Sequence, residues 1–372
     1  MNKLIYALLI VSLSSICCSC NVKHSSRRSI EPTVIYYDKG VAYGSKGKFK
    51  QAKDAFEMSL SINSKYGPSL KSLNIIKEYF TGIIGAKTLI LTFKGVKFQN
   101  AHKYRKAIKL YTLAVKSNPK YANSYYSRAM TYINWNKTDR AIRELNLTLK
   151  VDPRHEQAYN ALGLIFFDKE DLDKALLYFN NVIKINPGHT EAHYNLGLVY
   201  AIQEKYDLAK FHFTQCIQIN PNDDDALFHR AYVLTNEGTL DLAIRDLDRV
   251  IAINPNNADA HNNRANIYEA KGMTEQAIAD WNKTIKINPK HAQAYYNRGY
   301  AYEKRGEVDL ALHDYSKAIR FDPSYILAYE RRGLVYLLKK GNKRKGCKDL
   351  KKACRAGNCD SLKKGKKIGL CT

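Results

Sequence analysis

The chain has 372 residues, 45% of them hydrophobic, 11% aromatic and 26% charged. No apolar run reaches the roughly 20 residues that a spanning helix needs, so the mature body reads as soluble rather than membrane-embedded. The net charge of +25 invites an anionic partner unless the cations are already used inside the fold.

The first nineteen residues stand apart. Asn2 and Lys3 precede an apolar stretch from Leu4 to Ile16, and Cys17-Cys18-Ser19-Cys20 closes it with small residues. Charge, length and small-residue exit mark residues 1–19 as a secretory signal sequence. Its ending resembles the cleavage site of bacterial lipoproteins, which implies that Cys20 becomes a lipidated first residue. Cys17 departs from that pattern, standing where the family has an aliphatic residue, and leaves ordinary cleavage without a lipid as the alternative. Residues 20–32 would be anchor and tether, each buried acyl methylene contributing about 0.8 kcal/mol to membrane attachment. The expected location is the bacterial cell envelope, on its periplasmic or surface side.

Beyond residue 32 the chain is periodic. Pro119, Pro153, Pro187, Pro221, Pro255, Pro289 and Pro323 recur every 34 residues, each after Asn or Asp, with two stretches of 3.6-residue apolar periodicity between them. Each unit is therefore a helical hairpin. Proline donates no backbone N–H and disfavours helical geometry in the residue before it, so it stops the second helix. Residues 33–66 form a divergent first unit with Ser64 in place of the proline. Residues 67–87 are an irregular insertion in which Ser69 to Phe80 reads as an extra helix; 88–346 carry the regular array, and 347–372 a Lys- and Cys-rich cap.

Aligned on the prolines, small residues recur at Ala129, Gly163, Gly197, Ala231, Ala265 and Gly299, and again at Ala175, Ala209, Ala243, Ala277 and Ala311. Bulky residues recur at Tyr200, Tyr268 and Tyr302 and at Phe179, Phe213, Trp281 and Tyr315. The small side chains let paired helices approach, and the bulky ones are core knobs. The pattern resembles the tetratricopeptide repeat, matched best from Ala158 to Pro187, and the resemblance weakens at both ends of the chain. It implies an all-α, right-handed superhelical solenoid of about nine antiparallel helix pairs. Stability would then be a sum of unit and interface terms.

Five units place an arginine before the first small column, at Arg128, Arg230, Arg264, Arg298 and Arg332. The same units carry an acid in the second helix, at Glu144, Asp246, Asp280, Asp314 and Asp349, whereas the units with Leu162 and Leu196 have Tyr178 and His212 there. Such pairing suggests structural ion pairs within a hairpin or between neighbours. Among the cysteines, Cys216 reads as a buried small side chain. Cys347 and Cys354, seven residues apart on one helix, are roughly 10 Å apart along its axis and cannot bridge each other. Two pairings stay open: Cys347 with Cys359 and Cys354 with Cys371, or Cys347 with Cys371 and Cys354 with Cys359. A metal site is the runner-up, without a close Cys-x-x-Cys pair to support it.

The resemblance also implies that first helices line a concave face, and positions i, i+4 and i+7 share one side of a helix. They read Tyr126, Met130 and Ile133; Asn160, Leu164 and Phe167; Tyr194 and Leu198; then Phe228, Tyr232 and Thr235; Asn262, Asn266 and Glu269; Tyr296, Tyr300 and Glu303. This groove runs from apolar to amide- and acid-lined. Exposed aromatic residues in a row mark an interaction surface, and side-chain amides can both donate to and accept from an extended backbone. A peptide or a partner protein's helix is the expected ligand, with packing between first helices the competing role, above all for Leu164 and Leu198. The family's chaperone-binding members carry a Lys and Asn carboxylate clamp; here those positions hold Tyr, Asn or Phe, so that ligand is not implied.

Nothing resembles His-Glu-x-x-His, a phosphate loop or a nucleophile elbow. The expected molecule is a non-enzymatic scaffold without cofactor or metal. The alternative is binding of a polyanion or the envelope surface through the C-terminus, where thirteen Lys or Arg between Lys339 and Lys367 face only Asp349 and Asp360. Nucleic acid is not expected, because no aromatic residue lies between Lys339 and Thr372 to stack on a base.

Overall fold

The computed structural model describes residues 31–371; the signal segment, Cys20 and nearly all of the tether lie outside the described residues. Among the described residues there are twenty α-helices and no strand. Nine hairpins account for eighteen of them: α1 (Pro32–Gly44) with α2 (Phe49–Ile62), α4 (Ala86–Asn100) with α5 (Tyr104–Ser117), α6 (Ala122–Asn134) with α7 (Thr138–Val151), and α8 (Glu156–Asp168) with α9 (Leu172–Ile185). The series continues with α10 (Thr190–Ile202) and α11 (Tyr206–Ile219), α12 (Asp224–Asn236) and α13 (Leu240–Ile253), α14 (Ala258–Ala270) and α15 (Thr274–Ile287), α16 (Ala292–Lys304) and α17 (Val308–Phe321), and α18 (Ile326–Leu338) and α19 (Lys343–Arg355). Helix α3 (Gly67–Phe80) fills the insertion and α20 (Asp360–Lys367) ends the chain. Because α19 runs through residue 347, the cap begins after Arg355 rather than at Cys347.

The chain divides into two compact units, one ending at Ala192 and one beginning at His193, where the sequence leads one to expect a single elongated body. In a repeat array each hairpin touches only its neighbours, so such a division needs no interruption of helix. Beyond the first hairpin, where α3 lies against α2 and α4 against α1, a second helix within each unit packs on its own first helix and on the first helix of the next hairpin.

The junctions explain why the prolines are preceded by Asn or Asp. Asn118, Asp152, Asn186, Asn220, Asn254, Asn288 and Asp322 each accept, through Oδ1, the backbone N–H two residues on, at 2.9–3.3 Å. Their own backbone is extended, near φ −130° and ψ 90°, as in Asn220 (−128°, 97°) and Asp322 (−131°, 92°). The side chain holds the turn while the proline forbids another helical residue. Asn63 makes the same bond to the N–H of Lys65, so the first hairpin turns without its proline. Between the two helices of a hairpin, one residue adopts left-handed backbone. It is glycine at 47, 238, 272, 306 and 341 but His102 (φ 54°), Asn136 (φ 54°), Glu170 (φ 60°) and Glu204 (φ 58°) in the other four hairpins, where a side chain costs conformational energy.

The first small column is a close approach. A Cβ on Gly163 would lie 2.4 Å from the ring of Phe179, and one on Gly197 2.7 Å from Phe213. Alanine occurs in that column where the residue sixteen positions on is Leu145, Leu247 or Trp281. In the amino-terminal unit, Phe49, Phe56 and Phe93 share a buried cluster with Ile76 of α3 and Ile84. Helix α3 is therefore built into that core, and its Glu78 accepts hydrogen bonds from the Tyr121 hydroxyl and from Asn123 Nδ2.

Each of the five arginines bonds the acid of its own hairpin. Arg230, Arg264, Arg298 and Arg332 present Nε and Nη2 to the two oxygens of Asp246, Asp280, Asp314 and Asp349 at 2.7–3.0 Å. Arg128 reaches the longer Glu144 through Nη2 alone, at 2.7 Å, and its Nε stays without a bond. The remaining nitrogen does something the sequence pairing did not reveal. Nη1 crosses to the second helix of the preceding hairpin, donating to Thr112, Thr214, Asp248, Asn282 and Ser316 respectively. One guanidinium thus ties three helices together.

Where Leu196 replaces the arginine, His212 takes the acid's place and lies against His193, Nδ1 to Nδ1 at 2.9 Å, with Tyr200 stacked on it at 5.5 Å. His261, two repeats after His193 in the same column, instead faces Asp280 at 3.2 Å. Burial pushes His212 down to about 4, and His229, packed against Phe213, down to about 4 as well.

At the far end the disulfides are Cys347–Cys371 and Cys354–Cys359, with Cα separations of 5.6 and 4.0 Å. The first closes a sequence separation of 24 residues, worth about 3 kcal/mol on the chain-entropy account. It brings Cys371 against Leu337, Leu350 and Leu362, so α20 covers an apolar face of the last hairpin. Cys216 is buried, and burial pushes its thiol up to about 12.

Two predictions follow from the staples and from their histidine substitute. Arg298→Ala leaves the 1% exposed Asp314 without its cation, a loss of about 3–5 kcal/mol in urea unfolding. Arg298→Leu with Asp314→Tyr, the pair found at Leu162 and Tyr178, should lose clearly less; an equal loss would mean that packing, not a stranded charge, sets the cost. For the histidines, a depressed folded-state value means the unfolded chain binds more protons below its ordinary value of about 6.5. Stability contributed by neutral His212 and His229 is therefore complete above about pH 6.5 and is lost toward pH 4, on the order of 2 kcal/mol or more per imidazole. Leu196→Arg with His212→Asp should reduce that acid sensitivity in thermal melts between pH 7 and 4.5, and unchanged sensitivity would exonerate His212.

Candidate interaction surface

The first helices of each unit carry the groove positions. In the amino-terminal unit, Tyr126 and Met130 of α6 are half-buried and rest on a cluster formed by Ala161, Leu162 and Ile165 of α8. Tyr126 also stacks against His155 at 4.9 Å. His155 Nε2 meets Asn123 Oδ1 at 2.9 Å, so a polar chain runs from Glu78 of α3 through Asn123 to the start of α8. Asn160 is half-buried; its Nδ2 donates to Glu191 at 3.1 Å and its Oδ1 has no bond. Phe167 is only 9% exposed, so it is a core residue rather than part of an open groove.

In the carboxy-terminal unit, the apolar positions come first. Tyr194 meets Phe213 and His229 edge-on, and burial raises its hydroxyl's pKa. Leu198 is buried at 1% exposure, which assigns it to packing. Phe228 and Tyr232 of α12 remain half-buried, and Thr235 is exposed with its hydroxyl turned to the Ala231 carbonyl at 2.7 Å.

The amide and acid positions differ most from the sequence expectation. Asn262 is 3% exposed, so it is not available as an open amide, and its Oδ1 lacks a donor. Asn266 Oδ1 accepts from Trp281 Nε1 at 3.2 Å and from Asn297 Nδ2 at 2.8 Å. Glu269 accepts from Lys304 Nζ at 2.9 Å and from the Thr274 hydroxyl at 2.9 Å. Glu303 accepts from the Tyr315 hydroxyl at 2.5 Å and faces Arg331 at 3.6 Å. Tyr300 lies beneath two cations, Lys304 at 5.1 Å and Arg331 at 4.6 Å from its ring centre. Tyr296 packs against Tyr315 and Tyr325 at 5.8 and 5.1 Å, and its burial raises its pKa.

The late groove is thus a neutralised lattice of side chains bonded to one another. Its acids were expected to meet a ligand; instead Lys304 and Arg331, long donors on the adjacent first helices, reach the same side, and Thr274 at the start of α15 adds a hydroxyl to Glu269. Arg331 directly follows Glu330, which continues the groove column, and that adjacency was the available signal for it. Glu330 itself accepts from Asn358 Nδ2 at 2.7 Å and from the Ser361 hydroxyl at 2.5 Å, so the cap occupies the last groove position. No helix among the described residues is long and apolar enough to cross a membrane.

Comparison with known families matches the Tetratricopeptide repeat over residues 34–66, 110–143, 190–223 and 292–325, and the TPR repeat over 163–204, 232–272 and 266–306. No curated protein matches the chain. Among solved structures, YrrB, described as a TPR protein with an unusual peptide-binding site, is 28% identical over 50% of this chain and 97% of its own, with a TM-score of 0.47. The Cut9–Hcn1 hetero-tetramer of APC/C is 15% identical over 89% of this chain and 75% of that one, with a TM-score of 0.50, a likeness of fold alone. PilF of Pseudomonas aeruginosa is 17% identical over 55% of this chain and 92% of its own, at 0.47. With family matches over more than half of its length and hairpins throughout its described residues, the chain belongs to the tetratricopeptide repeat family, whose members are protein–protein interaction scaffolds.

Proposed function

We propose that this protein is an exported, lipid-anchored, non-enzymatic adaptor that holds an extended peptide or a helix of a partner protein against its first-helix face. The observation that carries the reading is the half-buried aromatic and apolar set on that face, Tyr126 and Met130 in one unit and Phe228 and Tyr232 in the other. These side chains offer apolar area at low entropic cost, being already held on one side by the core. The late-groove residues Asn262, Asn266, Glu269, Tyr296 and Glu303 serve the reading differently from open contacts. They keep the platform rigid, and Tyr300 with its two cations forms the rim. Export and anchoring rest on the charge, apolar stretch and cysteine of residues 1–20.

A photo-crosslinking amino acid at Tyr232, or separately at Met130, in living cells should capture one recurring protein. Phe228→Ala with Tyr232→Ala should cut the crosslink formed from a photo-reactive residue at Thr235, on the same helix, at least about tenfold, the effect of losing two contacts of 1 kcal/mol or more, while leaving the thermal unfolding cooperative. An unchanged partner yield would remove the groove from the reading. Radiolabelled fatty acid should enter the wild type and not Cys20→Ala; label retained in the variant would refute Cys20 as anchor.

A further inference from the structure

The carboxy-terminal hairpin carries a concavity that the groove reading does not use. Helices α18 and α19 and the tail at Gly369 and Leu370 enclose a basin of about 1090 Å³. Arg344, Lys348, Lys351, Lys352 and Arg355 all line it, and their spacing of i, i+4, i+7, i+8 and i+11 keeps them toward one side of α19. All five are exposed, and none has a carboxylate within ion-pair distance among the described residues; the basin's own acid, Asp349, is already committed to Arg332. The Cys347–Cys371 disulfide fixes the tail that forms the opposite wall.

We propose that this basin binds a compact, multiply phosphorylated ligand. Five like charges on three turns of one helix repel one another, and a ligand bearing several phosphates relieves that repulsion at more than one position, which a single carboxylate does not. Arginine forks and lysine ammonium groups together match closely spaced phosphate oxygens. The concavity favours a ligand that enters over a flat surface that only touches. Two rings do reach the basin, Tyr329 and Tyr336, although none occurs in the sequence beyond residue 339. Each has a cation over a face, Arg332 at 5.9 Å and Lys345 at 5.3 Å, so they form no paired platform for nucleic-acid bases. Two sources supply such phosphates, a soluble polyphosphate and a lipid headgroup bearing several phosphomonoesters.

The test uses the full, oxidised chain, with inorganic tripolyphosphate in calorimetric titration and phosphatidylcholine vesicles with or without phosphatidylinositol bisphosphate in flotation. Saturable binding to tripolyphosphate alone assigns a soluble ligand, and binding to phosphatidylinositol bisphosphate that tripolyphosphate displaces assigns a headgroup; either supports the site. Affinity should fall steeply with salt. Lys348→Gln with Lys351→Gln and Lys352→Gln should weaken binding by at least about tenfold, whereas Lys348→Arg with Lys351→Arg and Lys352→Arg should keep it. Lys46→Gln with Lys48→Gln and Lys50→Gln, equal in charge lost but distant in the chain, should change affinity less than about twofold. Should the first triple not melt cooperatively, Arg344→Gln with Arg355→Gln takes its place. Equal weakening by the basin and control triples, no binding of either probe, or tighter binding of a single-stranded oligonucleotide would overturn the proposal.

Discussion

The constraint from which this architecture grows is the distance between the two helices of a hairpin. A first-helix residue and the residue sixteen positions later occupy one packing site, where Phe or Tyr goes with glycine and Leu145, Leu247 or Trp281 with alanine. Gly163 with Phe179 and Gly197 with Phe213 show the limit, since a Cβ would sit within 3 Å of the ring. Ala231 with Leu247 shows the other solution. Each fully buried Phe or Leu contributes roughly 1.5–3 kcal/mol of apolar burial, and no single hairpin has enough of them to stand alone. The faces left over are covered by the next hairpin, which is why the fold is an array.

Apolar columns alone would let neighbouring hairpins slide. The five arginines act against that, because four bind both carboxylate oxygens and Arg128 one on the partner helix, and all five donate to one polar atom on the helix before it. A planar fork with fixed donor directions sets register in a way that a leucine cannot. The cost is desolvation, tolerable only while every partner stays in place. Leu162 with Tyr178 avoids that cost by packing Tyr178 against Phe166 at 5.5 Å. Leu196 with His212 is a third answer, in which burial holds His212 neutral and its ring nitrogen meets His193 in place of an ion pair, at the expense of acid tolerance.

The hairpins, the small and bulky columns and the arginine–acid pairs were legible because they are features of period and repetition, which one chain displays several times over. The column at Thr112, Thr214, Asp248, Asn282 and Ser316 was equally periodic, yet its chemistry varies from hydroxyl to carboxylate to amide, so only the shared guanidinium donor reveals its role. The groove was legible as a set of positions but not as a state. Position on a helix face tells which side chains are neighbours, whereas Asn262 is covered and Glu269 is paired through residues on adjacent helices whose reach depends on side-chain length and direction. The pairing of Cys347 with Cys371 likewise needed the path of the tail after Arg355.

The two surfaces of the carboxy-terminal unit differ in what an incoming molecule must displace. On the first-helix face, the carboxylates of Glu269, Glu303 and Glu330 already have donors, so a polar ligand there gains only the difference between its own hydrogen bonds and those it breaks. Apolar contact with Tyr232 or Phe228 carries no such exchange, and that face therefore favours a partner recognised by its hydrophobic side chains. On α19 the situation is reversed. Its ammonium groups have water and one another for company, so an anion displaces solvent and removes repulsion in the same step. The arginine staples, each a cation paired with an acid, leave the net charge as it was, and thirteen Lys or Arg against two acids between Lys339 and Lys367 gather one share of it behind a disulfide, where it can act on something outside the chain.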